Sequence, residues 1–269
     1  MTRQVRIGIT GAAGRMGRML IRQVVDSDGA VLAAALERPG SEWLGQDAGA
    51  LIGAAPLGVA LTDDADALMT GCDVVIDFSS PSLTTDLAGR TRPGGAALVV
   101  GTTGLRAEHH AALDQAAGRV AVMQAPNMSV GVVLLSALVE QTAAILGPDY
   151  DIEVVEMHHR HKVDAPSGTA LGLGEAAARG RKVALEQAAV RVRDGITGPR
   201  EAGTIGFATL RGGDVIGDHT VLFAGVGERV ELTHKATNRE VFARGAVRAA
   251  LWAANQSAGR YSMRDVLGL

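Results

Sequence analysis

Short apolar runs alternating with helical patterns fill the first half of the chain, and they leave few folds open. Val5–Ile9, Val31–Ala35, Asp73–Phe78, Ala97–Val100 and Val120–Met123 read as strands, while Gly14–Val25 and Ala107–Ala117 carry helical spacing. The strands are continuous apolar runs rather than apolar–polar alternations, so both faces of their sheet must be covered. Ser79, Ser80 and Pro81 supply a helix start directly after one of them. Strands that alternate with helices and are buried on both faces imply a doubly wound parallel sheet, a Rossmann-like α/β domain.

After Asn127 the pattern changes. Val130–Leu146 reads as one long helix, and Ala170–Arg179 as another. Ile152–Met157, Val190–Arg193, Thr204–Arg211, His219–Ala224 and Arg229–Thr233 read as strands, several joined by little more than turns. That spacing predicts a mixed or antiparallel sheet. The last helix, Arg239–Asn255, has the length to return to the first domain. The expected organisation is a doubly wound domain at 1–128 completed by 239–269, and an α+β domain at 129–238.

Composition excludes several functions. With 269 residues, 47% of them hydrophobic, the chain has enough material for a core and is not disordered. A formal net charge of −3 argues against a general nucleic-acid binder. Cys72 is the only cysteine, which excludes an internal disulfide and any multi-cysteine metal site and fits a reducing compartment. The most apolar stretch, Val130 to Val139, is shorter than the roughly 18 residues of a membrane span. No charged start with a long apolar core precedes Val5, so the expectation is a soluble, cytoplasmic protein without membrane partners. Lysine is scarce: Lys162, Lys182 and Lys235 stand against 23 arginines. An ammonium can release a proton near neutrality where a guanidinium cannot, so each lysine is a candidate acid.

The first strand runs straight into Gly8-Ile-Thr-Gly11-Ala-Ala-Gly14-Arg-Met-Gly17 and then a helix. Glycines there permit a tight turn and let backbone N–H groups approach a pyrophosphate at the helix N-terminus. The spacing is G-x-x-G-x-x-G, and in a chain with 35 glycines it is the position between strand and helix that gives it meaning. Glu37 follows the second strand, where a carboxylate meets ribose hydroxyls, and the adjacent Arg38 could hold a 2′-phosphate. Gly101-Thr-Thr-Gly104 and Ala125-Pro-Asn-Met-Ser129 also follow strands, and ligands of open parallel sheets bind beyond the strands' carboxyl ends.

Three of the seven histidines fall in Glu156-Met-His158-His159-Arg160-His161-Lys162-Val-Asp164-Ala-Pro-Ser167-Gly168-Thr169. A zinc site is one interpretation, but strand alternation would send the imidazoles to opposite faces, and no cysteine completes a shell. The other is acid–base and anion-binding chemistry. If the strand continues, His158 and Lys162 share a face and both reach one reacting group. Ser167, Gly168 and Thr169 precede a helix and form an anion seat from hydroxyls and backbone N–H groups. A capped helix after a basic solvated turn is the bland alternative.

These motifs together resemble the 4-hydroxy-tetrahydrodipicolinate reductase (dihydrodipicolinate reductase) family over essentially the whole chain. Gly203-Thr-Ile-Gly-Phe207, Gly217-Asp-His219, Thr233-His-Lys235 and Met263-Arg-Asp265 add to the likeness. The resemblance implies an NADH- or NADPH-dependent oxidoreductase of diaminopimelate and lysine biosynthesis that reduces a cyclic imine dicarboxylate with loss of water. It implies His158 as proton donor/acceptor, Lys162 as a second proton donor, and His159, Gly168 and Thr169 as holders of the substrate carboxylates. Gly11, Ala12, Ala13, Gly14, Arg15, Met16, Glu37, Arg38, Gly101, Thr102, Thr103, Ala125, Pro126, Asn127 and Met128 would contact the cofactor. Family members often carry Phe where this chain has Met128. A homotetramer built through the second domain's sheet is implied by the resemblance alone, and no metal is expected. The rival interpretations are a related Rossmann dehydrogenase of the aspartate pathway, a non-catalytic NAD(P)-sensing protein and a zinc protein. Lys182, Lys235 and Cys72 receive no role.

Overall fold

The computed structural model describes residues 3–269. In chain order its first elements are β1 (Val5–Thr10), α1 (Arg15–Val25), β2 (Ala30–Leu36), α2 (Ala48–Leu51), β3 (Leu61–Thr62) and α3 (Ala65–Gly71). β4 (Val74–Asp77), α4 (Pro81–Arg90), β5 (Ala97–Val100), α5 (Ala107–Ala117), β6 (Ala121–Gln124) and α6 (Val130–Leu146) follow. Then come β7 (Asp151–His158), α7 (Gly168–Arg181), α8 (Leu185–Ala188), β8 (Ala189–Val190), β9 (Ile205–Arg211), β10 (Gly217–Ala224) and β11 (Arg229–Ala236). The chain finishes with α9 (Glu240–Ala253), β12 (Gly259–Tyr261) and α10 (Met263–Leu267). Contacts divide it into two compact units, residues up to 130 with 240–269, and residues 131–239.

The first unit is a parallel sheet of order β12-β6-β5-β4-β1-β2-β3. Strand order reverses between β1 and β4, and the loops leaving those two strands flank the reversal, the usual ligand position in such sheets. Val75, Leu98 and Val122 pack on Leu68, Leu87 and Leu113 from α3, α4 and α5. α9 lies against α1, β4 and β5, so the segment after residue 240 completes this unit. Gly245 makes that approach possible: a Cβ there would fall 1.7 Å from the Met128 carbonyl oxygen. Cys72 belongs to this core, and burial pushes its thiol up to about 12, so it is inert packing.

The second unit is a mixed sheet of order β11-β10-β7-β9-β8, antiparallel at β11/β10 and β10/β7 and parallel beyond. Leu135, Val139 and Ala143 of α6 and Ala170, Leu173 and Ala177 of α7 cover one face, over Ile152, Val154, Phe207, Val221 and Phe223. Lys182 caps α7 in the left-handed conformation (φ 56°), its N–H donating to the Arg179 carbonyl.

Two expectations change. Val190–Arg193 is strand only at Ala189–Val190; beyond it Gly195, Gly198 and Gly203 turn the exposed chain through positive φ, and the Arg193 guanidinium forks onto Glu153 instead. The apolar stretch does not stop at Val139: α6 and the turn after it, Val130–Asp149, are long and apolar enough to cross a membrane by length and composition. Its Leu135–Val139–Ala143 stripe, spaced by four, is nonetheless part of a packed core. The segment between β2 and β4, which carries no clear periodicity, holds α2, β3 and α3.

Gly17 sits in the first turn of α1, where a Cβ would meet the Gly11 carbonyl oxygen at 2.2 Å and the Ala12 carbonyl oxygen at 2.6 Å. Both obstacles are backbone. Gly17→Ala is therefore expected to destabilise the unit by about 1–3 kcal/mol, read from the urea midpoint. An unchanged midpoint would show that α1 shifts freely against the loop.

Candidate functional site

The glycine loop is held by its own backbone before any ligand arrives. Gly11 has φ 58°, the Ala12 N–H donates to the Leu36 carbonyl (3.0 Å), and the Gly14 N–H to Gly11 (2.9 Å). The Ala13 N–H donates to Glu37 Oε2 (2.9 Å) and the Arg38 N–H to Glu37 Oε1 (3.1 Å), so this carboxylate ties the loop to the end of β2. The first helical bond of α1 runs from the Arg18 N–H to Gly14. The N–H groups of Arg15, Met16 and Gly17 have no intrahelical acceptor and are the donors suited to a pyrophosphate. The amides of Ala12, Ala13 and Gly14 are already committed.

Two clefts flank this loop. One, of about 450 Å³, is lined by Ala13, Gly14, Glu37, Arg38 and the Gly40–Trp43 turn. Trp43 is braced by the Arg18 guanidinium, 4.9 Å from its ring centre, and Arg18 Nε donates to the Ala13 carbonyl (2.9 Å). Among the described residues the exposed Arg38 guanidinium forms no ion pair. The other cleft, of about 310 Å³, brings together Met16, Gly101, Thr102, Thr103, Pro126, Asn127 and Met128 with Phe78, Ser79 and Phe242. At Gly101 a Cβ would fall 2.2 Å from the Phe78 ring, so a larger residue there would have to displace that ring. Met128 is fully buried and forms floor, and Ala125 is also buried. A carboxylate for ribose, free first-turn amides and two adjoining clefts fit an extended dinucleotide.

Sequence reasoning passed over the group that fixes these loops. Asp77 ends β4 fully buried and accepts from Thr10 Oγ1 (2.6 Å), Thr102 Oγ1 (3.1 Å), the Ser79 N–H (3.2 Å) and the hydroxyls of Ser79 and Thr84. One carboxylate thus holds the ends of β1 and β4, the start of α4 and the loop after β5.

In the second unit, β7 places Glu156 and His158 on its covered face. His158 Nδ1 lies 2.6 Å from Glu156 Oε2. Arg211 grips both Glu156 oxygens (2.8 and 3.0 Å), and the Ser167 N–H donates to Oε1 (3.0 Å). Burial would raise the Glu156 pKa, but these donors outweigh it and hold the carboxyl below its ordinary range. An ionised carboxylate only accepts, so Nδ1 carries the hydrogen and Nε2 is left for chemistry. A Cβ at Gly217 would lie 3.0 Å from that Nε2.

The strand does not continue to Lys162. β7 ends at His158, the His158 carbonyl accepts from the Gly212 N–H, and the chain turns with the Lys162 N–H donating to His159. Shared facing by alternation is therefore not what relates Lys162 to His158. Lys162 Nζ rests on Asp164 Oδ1 (2.7 Å), and its charge still acts on His159 and His219. His159 Nε2 lies 3.4 Å from Arg239 Nη2, and His159 Nδ1 is buried with no hydrogen-bond partner among the described residues. Gly168 and Thr169 open α7, whereas the Ser167 hydroxyl is spent, accepting from the Ala170 N–H and pairing with His219 Nε2 (3.1 Å). Among the described residues no group of three or more His, Cys, Asp or Glu is placed to hold a metal ion.

His219 packs edge-on to His158, ring centres 5.1 Å apart. Burial, then the neighbouring His158 charge, pushes its pKa down to about 4. The folded chain therefore refuses a proton that the unfolded chain binds below about pH 6.5, and stability falls as pH drops from about 6.5 toward 4. Burial shifts His234 and His159 the same way. Urea unfolding at about pH 7 and about pH 5 checks this: His219→Gln should lose about 2 kcal/mol less than the wild type. Equal losses would mean that His219 takes up its proton in the folded state.

Residues 5–128 match the family model for the N-terminus of dihydrodipicolinate reductase, and residues 131–267 match the model for its C-terminus. The 4-hydroxy-tetrahydrodipicolinate reductase of Brucella abortus is 56% identical over 97% of this chain and 98% of its own length. That of Beijerinckia indica is 53% identical over 99% and 98%. A dipicolinate-bound dihydrodipicolinate reductase from Paenisporosarcina sp. TG-14 superposes with a TM-score of 0.74 at 22% identity, over 96% of this chain and 97% of that one, and shows the shared fold. With both halves matched and relatives above half identity across nearly the full length, this chain belongs to the dihydrodipicolinate reductase family.

Proposed function

We propose that the chain reduces 4-hydroxy-tetrahydrodipicolinate to tetrahydrodipicolinate, with loss of water and at the expense of NADH or NADPH, in diaminopimelate and lysine biosynthesis. The observation that carries this is the Glu156–Thr169 segment: a buried Glu156–His158 pair tied to the amide at the head of α7, and the Lys162 ammonium resting on Asp164, in a member of this family. When bound, the reduced nicotinamide supplies hydride to the ring carbon of the conjugated imine.

The residues of the chain do the rest. Arg15, Met16 and Gly17 amides bind the pyrophosphate, Glu37 the ribose, and the Met16–Phe242 cleft takes the nicotinamide end. His159, Arg239 and the first turn of α7 at Gly168 and Thr169 bind the substrate carboxylates. His158 Nε2 or Lys162 Nζ delivers the proton that the ring nitrogen side requires as negative charge builds there. Glu37 and Arg38 side by side suit either cofactor, the carboxylate for NADH and the guanidinium for the 2′-phosphate of NADPH.

The test is a spectrophotometric assay in which a synthase makes the substrate in place from pyruvate and aspartate semialdehyde. His158→Gln and Lys162→Ala are each expected to lower turnover about 10²-fold or more while reduced-cofactor binding survives. Wild-type turnover in both would remove the assignment. In the same assay Arg38→Ala should weaken NADPH by about 1–3 kcal/mol and spare NADH; equal losses would show that Arg38 does not read the phosphate.

We also infer a soluble cytoplasmic homotetramer. The uncovered face of the second sheet supports it: Val155, Met157, Leu210 and Leu222 lie there without helices over them, Leu210 half exposed. Sedimentation equilibrium should return four times the chain mass, and Leu210→Arg should lower it. A monomer in the wild type would end this assignment.

A further inference from the structure

Arg211 is the last residue of β9 and is paired in register with His158 across the parallel β7/β9 ladder. Its Nη1 donates to Glu156 Oε2 (2.8 Å) and the Leu210 carbonyl (2.7 Å). Its Nη2 donates to Glu156 Oε1 (3.0 Å) and the Asp164 carbonyl (2.6 Å). A guanidinium has two hydrogens on each Nη, so all four are committed to the fold. In a cluster of cations suited to a dianionic substrate, this one has spent its charge on a buried carboxylate. We infer that Arg211 is a positioning residue for proton transfer: through Glu156 it fixes the His158 imidazole with Nε2 presented, and through the Asp164 carbonyl it anchors the Lys162 turn.

The charge on Glu156 decides the tautomer of His158. Glu156 is 1% exposed, and an isolated carboxylate so buried would take up a proton. Protonated, it could donate to Nδ1 and drive the imidazole hydrogen to Nε2. Ionised by the Arg211 fork, it can only accept, so Nδ1 must donate. When the imidazolium gives its Nε2 proton to the substrate, the Nε2–H bond breaks, the substrate gains the hydrogen, and the imidazole stays neutral with Nδ1–H intact. Lysine cannot replace the fork, because one nitrogen cannot span both carboxylate oxygens and two carbonyls. Arg211 also joins the two candidate donors mechanically. Asp164, whose carbonyl it holds, bears the carboxylate that receives Lys162 Nζ at 2.7 Å.

The inference rests on the proposed role of His158, and the experiment separates the two. Arg211→Met, Arg211→Lys, Glu156→Gln and the Arg211→Met/Glu156→Gln double variant are compared by steady-state kinetics. The ¹⁵N-histidine spectrum is recorded alongside, with His158 assigned by its loss in His158→Gln. Arg211→Met is expected to lower kcat about tenfold or more, with both KM values within about threefold. In the Glu156→Gln background the same change should cost clearly less than in the wild type, since its carboxylate target is gone and only its hold on the Asp164 carbonyl remains. The neutral His158 signal should move from protonated Nδ1 to a mixture. Arg211→Lys should fall between, and it reads the same quantities if Arg211→Met does not fold. A raised substrate KM at unchanged kcat would make Arg211 a substrate clamp and overturn the inference, as would multiplying losses in the double variant. A kcat loss with an unchanged tautomer would also overturn it, whereas a changed tautomer at wild-type kcat would overturn His158 as the donor.

Discussion

A carboxylate taken out of water must be surrounded by donors, and each unit of this chain is organised around one such demand. In the first, Asp77 collects hydroxyls and an amide from four separate segments, and in doing so fixes the loops that leave β1, β4 and β5. In the second, Glu156 collects a guanidinium fork, an imidazole and the amide at the head of α7. Apolar packing builds the two sheets, but it is non-directional. The direction in which the loops and His158 point comes from these two charges.

The same economy governs the cations. Glu37 uses its oxygens to hold the Ala13 and Arg38 amides, so it shapes the glycine loop from the end of β2. Arg18 braces Trp43, Arg211 neutralises Glu156, and Arg200 reaches Asp151, Glu153 and the Ile152 and Thr204 carbonyls at the far end of β7. Among the described residues, by contrast, neither Arg38 nor Arg239 forms an ion pair, and Arg239 Nη2 lies 3.4 Å from His159 Nε2. Guanidiniums that serve the fold and those open to an anion are thus distinguished by their partners, not by their residue type.

Much of the architecture was readable because it is local. Ala97–Val100, Ala107–Ala117 and Val130–Leu146 are bounded in the structure at the residues where their periodicity starts and stops. The stretch after Glu37 was opaque for a physical reason: Asp47 accepts the amides of Gly49, Leu57 and Val59, so a side chain rather than a hydrophobic period sets its shape. Alternation misplaces Lys162 relative to His158 because it presumes a strand, and the strand ends at His158. Arg211 and His219 were invisible as partners of Glu156 because sheet register, which pairs Arg211 with His158 and His219 with Glu156, brings them there from over fifty residues away. Trp43 and Phe242 likewise enter their clefts from segments with no motif of their own.

The return of residues 240–269 to the first unit also sets an order of events at the ribosome. α9, which closes over α1, β4 and β5, and β12, which extends the sheet past β6, are translated only after the whole of 131–239. The second unit is therefore complete in the nascent chain while the first still lacks a covering helix and an edge strand. The apolar surface that α9 later hides must spend that interval either solvent-exposed or shielded by another protein, so the segment translated last governs how long the segment translated first stays vulnerable to aggregation.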